Sequence, residues 1–279
     1  MGIGWIGSRM RRADLYEVLL GAMSADTPNT YYISRMRYPV RGAYRSFIEP
    51  LIRDADIRVD HRAVSIDWRA RRVTFGNGAE VEYATLISTI PLPELIGMMS
   101  GVPDEIAQAA ATLFATRADL ISVGFTRADV SPSLWFYIYD ADILASRAYS
   151  PSRKSPHNAP PGCSSLQFEI YSSPRRPMRA SPDELKENCV YAIEKMGLAH
   201  RTQIAFMHHK VLPYANVVFD LGMEQRRDVV RDWARSCGIA LAGRYGEWEY
   251  LWSNQSFMSG MRAAALASQP ASQSITATG

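Results

Sequence analysis

The sequence predicts a mixed α+β fold whose sheets are largely antiparallel. Short runs of alternating apolar and polar residues are joined by tight turns, as around Gly76-Asn77-Gly78, which is hairpin spacing. Helix-period segments fall between these runs without the regular strand–helix–strand alternation of a parallel fold. With 279 residues, 47% hydrophobic and 21% charged, the chain has the make-up of a soluble globular protein large enough for one large or two modest domains.

In order, residues 14–23 read as a helix with Leu15, Val18, Leu19 and Ala22 on one face, and residues 43–53 as another carrying Tyr44, Phe47, Ile48 and Leu51. Short strands are expected at 57–59, 63–67 and 71–75, and two more within 81–89. Pro91 and Pro93 end the last of these before a helix at 94–99. A helix to Phe114, strands at 120–125 and 134–139, a proline-rich loop over 149–162 and a strand at 166–171 follow. Ser181-Pro182-Asp183-Glu184 is a helix start, with a capping Ser, Pro at the first position and acids in the first turn. Strands at 204–212 and 215–219, a helix at 224–236, a buried strand at 239–242 and a last helix from about Gln255 complete the reading.

The net charge of +3 is slight. The basic groups Arg9/Arg11/Arg12, Arg69/Arg71/Arg72 and Arg175/Arg176/Arg179 do not interleave with aromatics as a nucleic-acid face would. They read as solvated loop arginines, with an anionic small molecule as the alternative partner. Cys163, Cys189 and Cys237 form no C-x-x-C pair, and His208-His209 point to opposite faces of a strand. Neither a disulfide framework nor a metal site is expected. No apolar run is long enough for a membrane span, and no signal peptide is evident, so the cytoplasm is the expected location.

Gly2-Ile3-Gly4-Trp5-Ile6-Gly7 matches G-x-G-x-x-G. A phosphate loop needs an apolar strand just before the first glycine and a helix just after the last. Met1 alone precedes Gly2, so the match reads as chance.

Three stretches in order resemble one family. They are Gly4-Trp5-Ile6-Gly7 through Met36-Arg37-Tyr38-Pro39 and Gly42; Val73 to Gly78 leading into Leu86 to Pro93; and Ala242-Gly243-Arg244-Tyr245-Gly246-Glu247-Trp248-Glu249-Tyr250 followed by Gln255 to Gly260. Together they resemble FAD enzymes of the amine oxidase, protoporphyrinogen oxidase and UDP-galactopyranose mutase type. The resemblance implies a glutathione-reductase-like FAD-binding domain, incomplete here, beside a substrate domain with a largely antiparallel sheet and flanking helices. It implies FAD near Val64, Thr89, Pro91, Gly243, Arg244, Gln255, Ser256 and Phe257, and substrate near Gly42, Tyr44, Arg244 and Tyr250. Trp135, Tyr137, Tyr139 and Tyr171 are candidates for stacking a base or, equally, for sheet packing. Gly260 is expected to let the last helix pack closely on a neighbour, and Asn254, where the family carries an acid, to cap it. No catalytic base is assigned.

The implied domains are a flavin-edge helical segment at 1–56, the remainder of the FAD-binding domain at 57–100, the substrate domain at 101–236, a C-terminal FAD-binding strand and helix at 237–268 and a disordered tail at 269–279. The implied function is FAD-dependent oxidation of a small molecule. The alternatives are a mutase-like flavoenzyme acting on an anionic, nucleotide-linked sugar, or a non-catalytic subunit. Since no phosphate-binding unit is found, the chain is expected to be an N-terminally truncated or split form, with a separate chain supplying that unit as one alternative.

Overall fold

The computed structural model describes residues 14–24 and 37–268. The 2–7 glycine segment, Arg9, Met36 and the tail beyond 268 lie outside the described residues. Helices α1 (Leu15–Met23) and α2 (Arg45–Arg53) lead into strands β1 (Ala63–Asp67), β2 (Arg72–Phe75), β3 (Glu80–Glu82) and β4 (Leu86–Ser88). Helices α3 (Leu92–Met98) and α4 (Asp104–Ala111) precede β5 (Arg117–Phe125), β6 (Trp135–Tyr137), β7 (Arg147–Tyr149), the short α5 (Pro151–Lys154) and β8 (Ser164–Ser172). The chain continues through α6 (Pro182–Lys195), β9 (Ile204–Leu212), α7 (Met223–Ser236), β10 (Ile239–Leu241), the one-turn α8 (Gly243–Gly246) and α9 (Ser253–Ala267).

The strands form three sheets: an antiparallel β1-β2-β3 meander, a parallel β10-β4 pair, and a five-stranded antiparallel sheet in the order β6-β7-β8-β5-β9. The architecture is the mixed α+β, largely antiparallel one that the sequence predicts. The β2–β3 turn forms as its residues require. Gly78 takes φ +85°, and the Asn77 side-chain oxygen accepts the Ala79 N–H at 3.0 Å. At the start of α6, Ser181 Oγ accepts the Glu184 N–H at 3.3 Å and the Glu184 carboxylate accepts the Ser181 N–H at 2.7 Å.

Alternation gives the large sheet two unlike faces. Leu166, Phe168 and Ile170 of β8 join Ile121, Val123 and Phe125 of β5 in a core closed by Leu185, Cys189, Ala192 and Ile193 of α6. Each Leu, Ile, Val or Phe side chain among them contributes about 1.5–3 kcal/mol by leaving water. The opposite face carries Gln167, Glu169 and Tyr171. A second core joins Ile66, Val73, Leu92, Leu95, Ile239 and Leu241. Ile106 and Ala110 of α4 and Met223, Val230 and Ala234 of α7 also pack there. Among the described residues no helix is long and apolar enough to cross a membrane.

Local differences from the sequence reading have physical reasons. Residues 57–59 form no strand, because Ile57 and Val59 find no neighbour and stay exposed. The strand expected at 215–219 reduces to one bridge, Ala115 to Val217. Within the proline-rich stretch, Pro151 opens α5, since a first helical position needs no N–H partner.

Candidate active site

The open face of the large sheet forms the floor of a cleft of about 480 Å³. Gln167, Glu169 and Tyr171 rise from β8, Arg147 and Tyr149 from β7 and Trp135 from β6, while Tyr214, Asn216, Arg244 and Tyr245 close the opposite side. Glu169 is the hub. Arg147 grips it with Nε to Oε2 at 3.1 Å and Nη2 to Oε1 at 2.8 Å, and the Tyr171 hydroxyl donates a short bond to Oε2. Burial alone would lower the Arg147 pKa, but the Glu169 carboxylate outweighs it and raises it. Burial and then the bond to Glu169 push the Tyr171 phenol up.

Lys154 stands at the rim, its ammonium 4.7 Å from the Tyr149 ring centre and 5.4 Å from that of Tyr38. Burial, then repulsion from Arg147, holds its pKa below the usual lysine value. The neighbouring Ser155 hydroxyl donates a short bond to the Val40 carbonyl, which ties the segment before α2 to the rim. The lining thus sets three cations, Arg147, Lys154 and Arg244, against the single carboxylate Glu169. Such a balance suits an anionic ligand, with Trp135 and the tyrosines offering flat apolar surface.

The wall carrying Arg244 is fixed by the turn at the end of β10. Gly243 takes φ +77°, the left-handed region that glycine enters without penalty. Its N–H donates to Ser259 Oγ of α9 at 2.8 Å, and the Ser259 hydroxyl donates a short bond to the Glu247 carboxylate. Glu247, 8% exposed, also faces Arg262 at 3.4 Å and Arg231 at 3.6 Å. Arg244 donates from Nε to the Leu251 carbonyl at 2.8 Å and lies over the Tyr250 ring, 4.7 Å from its centre. A Cβ on Gly246 would lie 2.7 Å from the Ser88 carbonyl oxygen, so α8 sits directly against the end of β4.

The sequence profile of the flavin containing amine oxidoreductases matches residues 13–267. The chain belongs to that family. Among solved structures, reduced UDP-galactopyranose mutase is similar with a TM-score of 0.84 at 24% identity, over 95% of this chain and 59% of the mutase chain. A protoporphyrinogen-oxidase-type protein from Exiguobacterium sp. 255-15 gives a TM-score of 0.60 at 17% identity, over 80% of this chain and 51% of its own. A redesigned putrescine oxidase gives 0.58 at 13% identity, over 82% and 53%. The chain therefore spans roughly half to three-fifths of the length of these relatives. No curated protein matches it.

In this flavin amine oxidoreductase family member the residues expected at the site fall into separate groups. Gly243, Arg244 and Tyr250 come together, and Gly243 is bonded directly to α9. Gln255 and Ser256 lie in the first turn of α9, where Gln255 Oε1 accepts the Trp252 N–H at 2.9 Å and the Ser256 N–H donates to the Trp252 carbonyl at 2.7 Å; Phe257 beside them is exposed. Thr89 and Pro91 line a different cavity, also of about 480 Å³, with His61, Phe75 and Leu86. Val64 is half exposed on β1 and lies outside that lining. Gly42, at φ +78°, and Tyr44 at the head of α2 do not line the cleft. Trp135 and Tyr171 line it, whereas Tyr139 is 90% exposed.

Two details correct the sequence reading. Helix α9 starts at Ser253, so Asn254 lies inside its first turn and does not cap it. A Cβ on Gly260 would meet nothing within 4 Å, so close packing does not require glycine there. Sequence reasoning passed over Arg147, Tyr149, Lys154 and Glu169. The signal for Glu169 was present, since Gln167, Glu169 and Tyr171 alternate with Leu166, Phe168 and Ile170.

Proposed function

We propose that the chain carries flavin-dependent oxidoreductase chemistry, with FAD as the cofactor and the polar cleft as the substrate site. The observation that carries this reading is the joining of the Gly243–Arg244 turn to α9 beside a cleft with cationic and aromatic walls. The residues present fit a flavin. The Gly243 turn has open space where a Cβ would stand, and the first turn of α9 adds backbone N–H groups and the positive end of a helix dipole. The Thr89–Pro91 cavity, with the His61 and Phe75 rings edge to face at 5.3 Å, suits a planar apolar ring. On this reading Val64, Thr89, Pro91, Gly243, Arg244, Gln255, Ser256 and Phe257 hold the cofactor. Gly42, Tyr44, Arg244 and Tyr250 border the substrate. The core around Leu92, Leu95 and Ile239 is the cofactor half, and the large sheet is the substrate half. A bound flavin supplies hydride acceptance, while Arg147, Lys154 and Arg244 orient an anionic substrate group and Trp135 flanks it.

That charge balance favours a second reading, a ligand of the sugar-nucleotide type named for the mutase neighbour. The test is to titrate the purified chain with FAD, following flavin absorbance and fluorescence, and then to add a primary amine or UDP-galactopyranose. Bleaching of the flavin by amines supports the oxidase reading. Tight binding of the UDP-sugar, weakened in Lys154→Ala, supports the second. A chain that binds no flavin at any concentration tried refutes both.

A further inference from the structure

The arginine cluster Arg175/Arg176/Arg179 has no part in the cleft. It borders a second and larger cavity, of about 760 Å³, where the floor of the large sheet is left open. Strand β7 pairs with β8 only as far as Arg147 opposite Glu169, so Ile170 to Ser172 present a free flank. The loop 138–146 and the segment 173–180 fold around it. One wall is apolar, with Ile138, Ile143, Leu144 and Met178, and the other carries the arginines. Tyr171 is the partition between this cavity and the cleft, since it lines both.

The arginines are not equivalent. Arg175 is already engaged, donating to Asp220 at 2.7 Å with its guanidinium 4.7 Å from the centre of the Phe114 ring. The lining carboxylate Asp140 is engaged by Lys195 at 2.9 Å. The side chains of Arg176 and Arg179 have no hydrogen-bond or ion-pair partner among the described residues. Their loop is braced, because Ser173 and Arg176 exchange both backbone hydrogen bonds at 2.9 Å, and Pro174 and Pro177 fix φ on either side.

We propose that this cavity binds a small phosphate-bearing organic molecule, its phosphate held by Arg176 and Arg179 and its apolar body against Ile138, Ile143, Leu144 and Met178. Two guanidinium forks on a braced loop match a phosphate dianion bidentately. Both arginines line the cavity opposite its apolar wall. The volume falls within the range of sites for drug-sized ligands. The proposal does not depend on the flavin reading.

Calorimetric titration of the chain with phenyl phosphate tests it. Binding is expected to be about tenfold tighter than that of inorganic phosphate, the difference that roughly 1.4 kcal/mol of apolar contact makes. Arg176→Ala/Arg179→Ala removes that binding event. Leu144→Asn, which alters only the apolar wall, weakens phenyl phosphate severalfold and leaves inorganic phosphate as it was. Lys154→Ala, a change in the cleft, retains the event. An isotherm that the double variant leaves unchanged, or one that Lys154→Ala alone abolishes, overturns the proposal. Capture on phosphatidic-acid vesicles without binding of soluble phenyl phosphate overturns it too, by assigning the arginines to a lipid surface.

Discussion

Ser259→Ala removes one oxygen atom and with it the only bridge described between the Gly243 N–H and the Glu247 carboxylate. Ser259 is fully buried, at 0% exposure, so water cannot replace the hydroxyl. The Gly243 N–H, donating at 2.8 Å, is left unsatisfied at about 1–3 kcal/mol. The short bond from Ser259 to Glu247 is of the charged-acceptor kind, worth about 1.5–3 kcal/mol. Glu247 keeps Arg262 at 3.4 Å and Arg231 at 3.6 Å, which offsets part of that loss. A net destabilisation of about 3 kcal/mol follows, or a fall in melting temperature of about 6–12 °C for a chain of this size. Urea denaturation followed by circular dichroism reads the midpoint, and a scan reads the melting temperature. Glu247→Gln in the same background should couple to Ser259→Ala non-additively, as members of one network do. A Ser259→Ala midpoint within about 0.5 kcal/mol of the wild type, the range of ordinary surface changes, would refute the account of how the turn is held.

Further outcomes are expected elsewhere. Gly246→Ala places a Cβ 2.7 Å from backbone oxygen and 3.2 Å from the Thr89 Cα, which no side-chain rotation relieves, and costs about 1–3 kcal/mol; Gly97→Ala, exposed in α3 with nothing within 4 Å, gains about 0.5–1 kcal/mol in the same denaturation assay. Phe168→Ala, at 0% exposure between β5 and α6, costs about 3–5 kcal/mol as read from its urea midpoint. Hydrogen bonds from Lys195 and then Tyr191 hold the Asp142 carboxyl at about 2, below its ordinary 3.8. A depressed carboxylate stabilises the fold above its unfolded pKa and loses that contribution as pH falls through the folded one. The gap between wild type and Asp142→Asn is therefore expected at pH 7 and should close by about pH 2, measured by urea midpoints at both.

Legibility differed between fold and site. Helix α6 could be bounded from Ser181-Pro182-Asp183-Glu184 because capping is a contact within four residues. Strands β5 and β8 could be read in their apolar middles, 120–125 and 166–171, and β9 over its full 204–212, while the first residues of β5 and the ends of β8 were missed. Three-residue strands such as β7 carry no period, and Arg147 was invisible for that reason. Its importance comes from Glu169 across the ladder, 22 positions later. The Gly243–Arg244 turn was found through resemblance and not through pattern. Its partner Ser259 looks like any other serine of a helix until tertiary structure brings it under the turn. Residues 57–59 misled because apolar side chains at alternate positions describe a strand only where another strand lies alongside.

The parallel pair β4–β10 sets residue 86 opposite residue 239, so the whole of the larger sheet is strung between two neighbouring strands. Hairpins such as β6–β7 close small loops and can form early, whereas the β4–β10 ladder must wait for a far longer loop to close. The unit built on β5 and β8 is thus placed to assemble first and the second core, around Leu92 and Ile239, to be sealed last. In native-state hydrogen exchange the amides of β10 should open before those of β8, so the wall that carries Arg244 should loosen before the floor of the cleft.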